Sequence, residues 1–170
     1  MARPGPLVPR TTDAETRASA RDHDALRLWL RLLATTNLIE GGVRALLKRE
    51  FATTLPRFDL MAQLERAPEG LKMGELSRRM MVTGGNVTGI TDLLEREGLV
   101  TRLGDREDRR ALRVRLTPAG RKAFRAMAEA HERWIIRGFA ALTPAEMHAL
   151  GDSLGRLKHH VRTFEGTRTP

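Results

Sequence analysis

The chain has 170 residues, 41% of them hydrophobic and 30% charged, with a mean hydropathy of -0.38, which supports a folded globular protein rather than a disordered one. No run approaches the roughly 18 apolar residues of a membrane span, the first residues lack the apolar stretch of a secretory signal, and the absence of cysteine excludes disulfides, thiolate metal sites and thiol nucleophiles. Thirty basic against 21 acidic residues leave a net charge of +9, a surplus that suits an anionic partner, and with no export or membrane signal the chain is expected to be cytoplasmic.

Residues 1–23 are rich in Pro, Thr, Ala and Arg without apolar periodicity and read as an arm. From Asp24 the pattern turns helical, with Leu26, Leu30, Leu33, Leu47 and Phe51 on one stripe. Asn37, Glu40 and Arg44 interrupt that stripe, with Gly41-Gly42 among them. A second helix fits Leu55 to Arg66, with Phe58, Met61 and Leu64 facing inward, and Ala67-Pro68-Glu69-Gly70 is turn chemistry. Leu71 to Gly98 reads as two short helices. Leu71, Met73, Leu76 and Met80 mark the first, Val82-Thr83-Gly84-Gly85 the turn, and Val87, Ile90 and Leu94 the second. Gly98 is placed to end that helix in the left-handed region.

Leu99 to Leu103 and Ala111 to Leu116 read as strands, the latter alternating with apolar residues at 112, 114 and 116. Between them lies the charged run Gly104-Asp105-Arg106-Glu107-Asp108-Arg109-Arg110. Thr117-Pro118 and Thr143-Pro144-Ala145-Glu146 are helix starts, the second with a capping-box Glu, and predict helices over 118–141 and 144–163.

Helix, turn, helix and a two-stranded hairpin with an Arg-rich loop is the order of a winged helix-turn-helix. The expected fold is mainly α with a small β-hairpin, and the ligand that suits it is double-stranded DNA. The second helix presents Gly85, Asn86, Thr88, Gly89, Asp92 and Arg96 opposite or beside its apolar face. Its N-terminal half enters the major groove, where Asn86 can pair with adenine and Thr88 can touch a base edge or a thymine methyl. In the loop, Arg109 and then Arg106 are placed for the minor groove or for phosphates.

The residues Leu93-Leu94-Glu95-Arg96-Glu97-Gly98-Leu99-Val100, followed by Asp105-Arg106-Glu107-Asp108-Arg109-Arg110 and by Leu116-Thr117-Pro118-Ala119-Gly120, resemble the MarR family of bacterial transcription regulators. The resemblance implies an obligate homodimer joined by its N- and C-terminal helices, binding palindromic DNA and released by a small ligand. It divides the chain into an arm (1–23), a dimerisation helix (24–54), the DNA-binding domain (55–116) and C-terminal dimerisation helices (117–170). It also implies that Asp108 and Arg110 brace the hairpin. Family members often carry Ser or Thr in place of Gly85 and Arg in place of Gly89; this chain departs from both.

The charge distribution bears on a ligand. Residues 67–116 hold ten basic against eight acidic residues, whereas 25–66 and 117–170 together hold sixteen against nine. That excess and the polar break in the first helix suggest an effector site of Trp29, Asn37, Glu40, Arg44, Phe51 and Phe58; a kink or a dimer-interface network accounts for the break equally well. The run Gly84-Gly85-Asn86-Val87-Thr88-Gly89 is similar to that of MarR-type repressors of aromatic-acid catabolism. In some of these the inducer is an aryl-CoA thioester such as p-coumaroyl-CoA, and in others a free aromatic acid or phenol. The function expected is thus a repressor of aromatic-acid catabolic genes released by an aromatic effector. The rival is an architectural DNA-binding protein without an effector, marked by weak sequence preference and salt-governed affinity. No catalytic motif is present, so no enzyme and no cofactor are expected. The five histidines (23, 131, 148, 159 and 160) lack metal-ligand spacing, and the mixing of acids among the basic residues argues against a membrane surface.

Overall fold

The computed structural model of the protein describes residues 23–104 and 112–166. The chain forms two compact units, one ending at Asp59 and the other beginning at Leu60.

The first unit is built on helix α1 (Asp24–Phe51), which runs without interruption through Gly41-Gly42. A tandem Gly costs about 1 kcal/mol per residue of helix propensity, too little to break a helix of this length. The face that is buried carries Val43, Leu46 and Leu47. The expected stripe is different toward the N-terminus: Leu26 and Leu33 remain about two-fifths exposed, and Leu30 is half-buried. Helix α1 ends on Ala52, whose φ of 49° reverses the chain. Helix α2 (Leu55–Glu65) follows, and Phe58, Met61 and Leu64 are buried on it as their spacing predicts.

The second unit holds β1 (Leu71–Lys72), α3 (Met73–Met80), α4 (Gly84–Arg96), β2 (Val100–Gly104), β3 (Leu112–Leu116), α5 (Pro118–Phe139) and α6 (Pro144–Gly166). Its antiparallel sheet has three strands in the order β1-β3-β2, one more than the predicted hairpin. Leu71 and Lys72, expected as the start of a helix, pair instead with Val114 and Arg113. The local reason is Gly70, at φ +83°: a Cβ there would lie 2.7 Å from the Val114 carbonyl oxygen. Only a residue without a side chain lets the chain pass so close to β3, and the Arg113 guanidinium donates to the Gly70 carbonyl at 3.0 Å.

Leu60, Met61, Leu64, Leu76, Val87, Leu94, Val100, Val114 and Leu116 form the apolar interior of this unit. Strand β3 alternates as read, with Val114 and Leu116 inside, but Leu112 near the hairpin end is half exposed. Helix α5 starts where Thr117 accepts from the Gly120 backbone N–H at 3.0 Å. Gly120 is held by contact as well as by the cap, since a Cβ there would lie 1.9 Å from the Leu99 carbonyl oxygen. Helix α6 opens with the predicted capping box: the Glu146 N–H donates to Thr143 Oγ1 at 3.3 Å, and the Thr143 N–H donates to the Glu146 carboxylate at 2.8 Å. The Thr143 N–H, and the Thr143 hydroxyl donating to the same carboxylate at 2.7 Å, hold the Glu146 carboxyl below the usual carboxylate range. Along α6, Met147, Leu150, Leu154, Leu157 and Val161 repeat at alternating steps of three and four, and each stays about two-fifths exposed.

Candidate nucleic-acid interface

The helix-turn-helix is made by α3 and α4. The turn between them is Met81-Val82-Thr83, one step earlier than the sequence suggests, so Gly84 and Gly85 belong to the first turn of α4. The left-handed residue that makes the corner is Met81, at φ 54°, rather than a glycine. Ser77 compensates for that strain by closing the corner: its hydroxyl donates to the Val82 carbonyl at 2.6 Å, while the Val82 N–H donates to the Ser77 carbonyl at 3.2 Å.

Val87 and Leu94 are fully buried on α4 and Ile90 is half-buried. Thr91 shares that interior, which periodicity missed because Thr is polar; its hydroxyl is satisfied by donating to the Val87 carbonyl at 2.7 Å. Gly85, Asn86, Thr88 and Gly89 all lie exposed on the opposite face of the N-terminal half. Thr88 Oγ1 donates to the Gly84 carbonyl at 3.0 Å, which leaves its lone pairs and its methyl for a base edge. A Cβ at Gly85 or Gly89 would meet nothing within 4 Å. Packing within the chain therefore does not require these glycines, which leave this surface low.

The C-terminal half of α4 is tied to the hairpin. Arg102 on β2 donates to Asp92 Oδ1 at 2.5 Å and to the Glu95 carboxylate, which also accepts from the Arg102 backbone N–H at 3.1 Å. Partial burial opposes the Arg102 charge, but the hydrogen bond to Asp92 and the nearby carboxylates outweigh it and raise its pKa above the ordinary arginine value. Asp92, expected on the groove side of α4, is thus engaged with the sheet. Arg102 and Glu95 were not singled out in the sequence; their spacing of seven residues across a turn has no local signature. Helix α4 then ends in a Schellman arrangement, with Leu99 N–H to Leu94 carbonyl at 2.9 Å, Gly98 N–H to Glu95 carbonyl at 2.9 Å, and Gly98 at φ +70°. Arg106, Asp108, Arg109 and Arg110 lie outside the described residues.

The residues proposed for an effector do not gather at one place. Trp29 and Arg44 sit on the same straight helix, fifteen residues and hence about 22 Å apart. Trp29 and Asn37 are exposed, Phe51 is half-buried and Phe58 is buried. Glu40 pairs with Arg44 at 2.7 Å, one turn away. What does form is a cavity of about 820 Å³ where α1 turns into α2, lined by Arg44, Lys48, Ala52, Thr53, Thr54, Leu55 and Pro56. Of the six expected residues it includes Arg44 alone. The others were missed because Ala52 to Pro56 is a non-periodic corner whose concavity exists only after folding. Among the described residues, no cluster could hold a metal ion and no helix is long and apolar enough to cross a membrane.

Comparison with known proteins agrees with this architecture. The sequence profile of the MarR family matches residues 53–111, the end of the corner through the hairpin loop. A crystallised MarR family transcriptional regulator from Silicibacter pomeroyi is 33% identical, with 85% of this chain and 99% of that one covered and a TM-score of 0.71. The transcriptional activatory protein BadR of Rhodopseudomonas palustris is 32% identical over 126 residues, which is 72% of this chain and 71% of BadR. Sco3205 of Streptomyces coelicolor, a MarR family regulator solved in complex with DNA, shares the fold at 22% identity and a TM-score of 0.72, with 84% and 90% of the two chains covered. With its helix-turn-helix, its sheet and its two capped C-terminal helices in the family's order, the chain belongs to the MarR family of winged-helix transcriptional regulators: it is a DNA-binding regulator and not an enzyme.

Proposed function

We propose that the protein is a homodimeric repressor of aromatic-acid catabolic genes that binds palindromic DNA and is released by an aromatic effector, either a free acid or an aryl-CoA thioester such as p-coumaroyl-CoA. The observation that carries the effector is the cavity at the α1–α2 corner. Its volume of about 820 Å³ suits a small organic ligand. Ala52, Leu55 and Pro56 give it apolar wall, Thr53 and Thr54 give it hydroxyls, and Arg44 and Lys48 supply cations for a carboxylate or a phosphate. Helix α2 begins at this cavity and continues to the buried residues Leu60, Met61 and Leu64, so a ligand here acts on an element of the DNA-reading unit.

Homodimerisation is supported by apolar surface that the chain alone leaves in water. On α6 the alternating three- and four-residue spacing of Met147, Leu150, Leu154, Leu157 and Val161 is that of a coiled-coil seam. On α1, Leu26, Trp29 and Leu33 are exposed in the same way. In each half-site Asn86 and Thr88 read base edges.

The test is fluorescence anisotropy on DNA upstream of the protein's own gene, with p-coumaroyl-CoA, p-coumarate and CoA titrated separately. Release by the thioester or the free acid, lost in an Arg44→Ala/Lys48→Ala variant that still binds DNA, is the expected result. Tight specific binding that ignores all three removes the aromatic effector. Equal affinity for random duplex removes the operator-specific regulator and favours the architectural alternative. Sedimentation as a monomer at micromolar concentration removes the dimer.

A further inference from the structure

A second basic feature lies in the other unit, where β3 runs into α5. Arg121 and Arg125 are four residues apart on α5 and therefore stand on one face of the helix. Two adjoining clefts, of about 400 and about 390 Å³, share both of them; Lys122 lines the first, and Arg115 of β3 lines the second with Leu64, Glu65 and Pro68.

Four cations thus surround two clefts that hold only Glu65 and Glu129 as carboxylates. The one ion pair among them is long, 3.8 Å from Arg125 Nε to Glu65. Arg121 donates to the Leu116 carbonyl at 3.2 Å, which fixes the guanidinium beside β3 without neutralising it. Among the described residues no carboxylate lies within ion-pair distance of Arg115, Arg121 or Lys122. Like charges four apart on a helix repel, and the long Arg125–Glu65 pair offsets little of that repulsion here. Neighbouring Arg113 differs: it is tied to the Gly70 carbonyl.

We infer that this cleft is an anion site for the phosphate groups of a small phosphorylated ligand, formed by Arg115, Arg121 and Arg125 with Lys122 at its edge. Guanidinium forks match phosphate oxygens in pairs, which suits Arg here better than Lys. Two observations favour a small ligand over the phosphates of bound DNA. Arg115 pairs with Thr101, three residues in from Leu112, so it stands about 10 Å from the loop end of the hairpin. The cleft also has an apolar wall in Leu64 and Pro68, which a sugar-phosphate backbone does not need. The inference does not depend on the effector cavity of the first unit.

Calorimetric titration of the full chain with sodium pyrophosphate at low ionic strength tests it, beside Arg121→Ala, Arg125→Ala and Arg121→Lys variants whose melting curves match the parent. The expected result is saturable binding, weakened about tenfold by either alanine and partly restored by lysine, with operator affinity kept within a factor of about two. Pyrophosphate heats no larger than those of chloride at equal ionic strength overturn the site. So does binding that the alanine variants leave unchanged. Alanine variants that lose operator affinity, with a shallower salt dependence, assign the arginines to the DNA backbone and overturn the small-ligand reading.

Discussion

Gly120 and Gly155 offer the same substitution with opposite consequences. Both are helical, Gly120 in the first turn of α5 and Gly155 inside α6. At Gly120 an added Cβ would stand 1.9 Å from the Leu99 carbonyl oxygen and 2.8 Å from its carbon. That carbonyl cannot swing aside freely, because it accepts the Thr117 N–H at 3.0 Å and lies 3.3 Å from Thr117 Oγ1. Gly120→Ala must therefore push α5 away from Leu99. Overpacking of this kind costs about 1–3 kcal/mol, and weakening the Thr117 cap costs about 1 kcal/mol more. Better helix propensity returns about 1 kcal/mol. The net expectation is a loss of about 1–3 kcal/mol, or roughly 2–10 °C in Tm for a chain of this size. At Gly155 a Cβ meets nothing within 4 Å, and the residue lies off the apolar stripe of α6. Gly155→Ala should raise stability by about 0.5–1 kcal/mol. Urea unfolding at matched protein concentration measures both. A Gly120→Ala variant as stable as the parent, or a destabilised Gly155→Ala, would refute the steric argument.

Asn86→Ala should weaken cognate DNA binding by about 1–3 kcal/mol and leave random duplex nearly unaffected; equal losses on both, by anisotropy, would take base reading away from Asn86. Arg102→Ala should lower stability by about 1–2 kcal/mol, since it strands Asp92 and Glu95 at a partly exposed contact. It should also weaken DNA binding through a loosened α4, an effect that anisotropy against melting temperature separates from unfolding. Because the Glu146 carboxyl is held low by Thr143, its contribution to α6 is complete above the ordinary Glu pKa and is lost as pH falls through the lowered one. Melting curves between pH 6 and about 3 should show that loss. Glu146→Gln, which keeps a capping acceptor but no titration, should flatten it.

How far the sequence reached varies by element for physical reasons. Cap chemistry is local, so Thr117, Gly98 and the Thr143–Glu146 box were legible residue by residue. Apolar periodicity is nearly as local, and it placed Phe58, Met61, Leu64, Val87 and Leu94 inside. It failed at Leu71 and Lys72, where two residues carry no period and the strand exists only because β3 lies alongside. It failed again at Leu26 and Leu33, whose apolar stripe the single chain does not cover.

For the interface, helical spacing put Gly85, Asn86, Thr88 and Gly89 opposite the apolar face of α4, and these four are exposed. Asp92 differs: spacing gives direction around a helix axis but not which neighbour waits there, and Arg102 reaches it from β2. The effector residues were less legible for a related reason. A polar interruption in a stripe marks an unusual place, yet Trp29 and Arg44 stand about 22 Å apart along a continuous helix, and the cavity opens at a corner with no periodicity. Sequence alone determined the order of the helices and of the hairpin strands, the caps at Thr117, Thr143 and Gly98, and the DNA-binding class, all of which rest on contacts between near neighbours in the chain. The third strand, the Arg102 tether, the cavity at the α1–α2 corner and the arginine cleft between β3 and α5 were decided by the tertiary structure. Each depends on groups that only folding brings within hydrogen-bonding or packing distance.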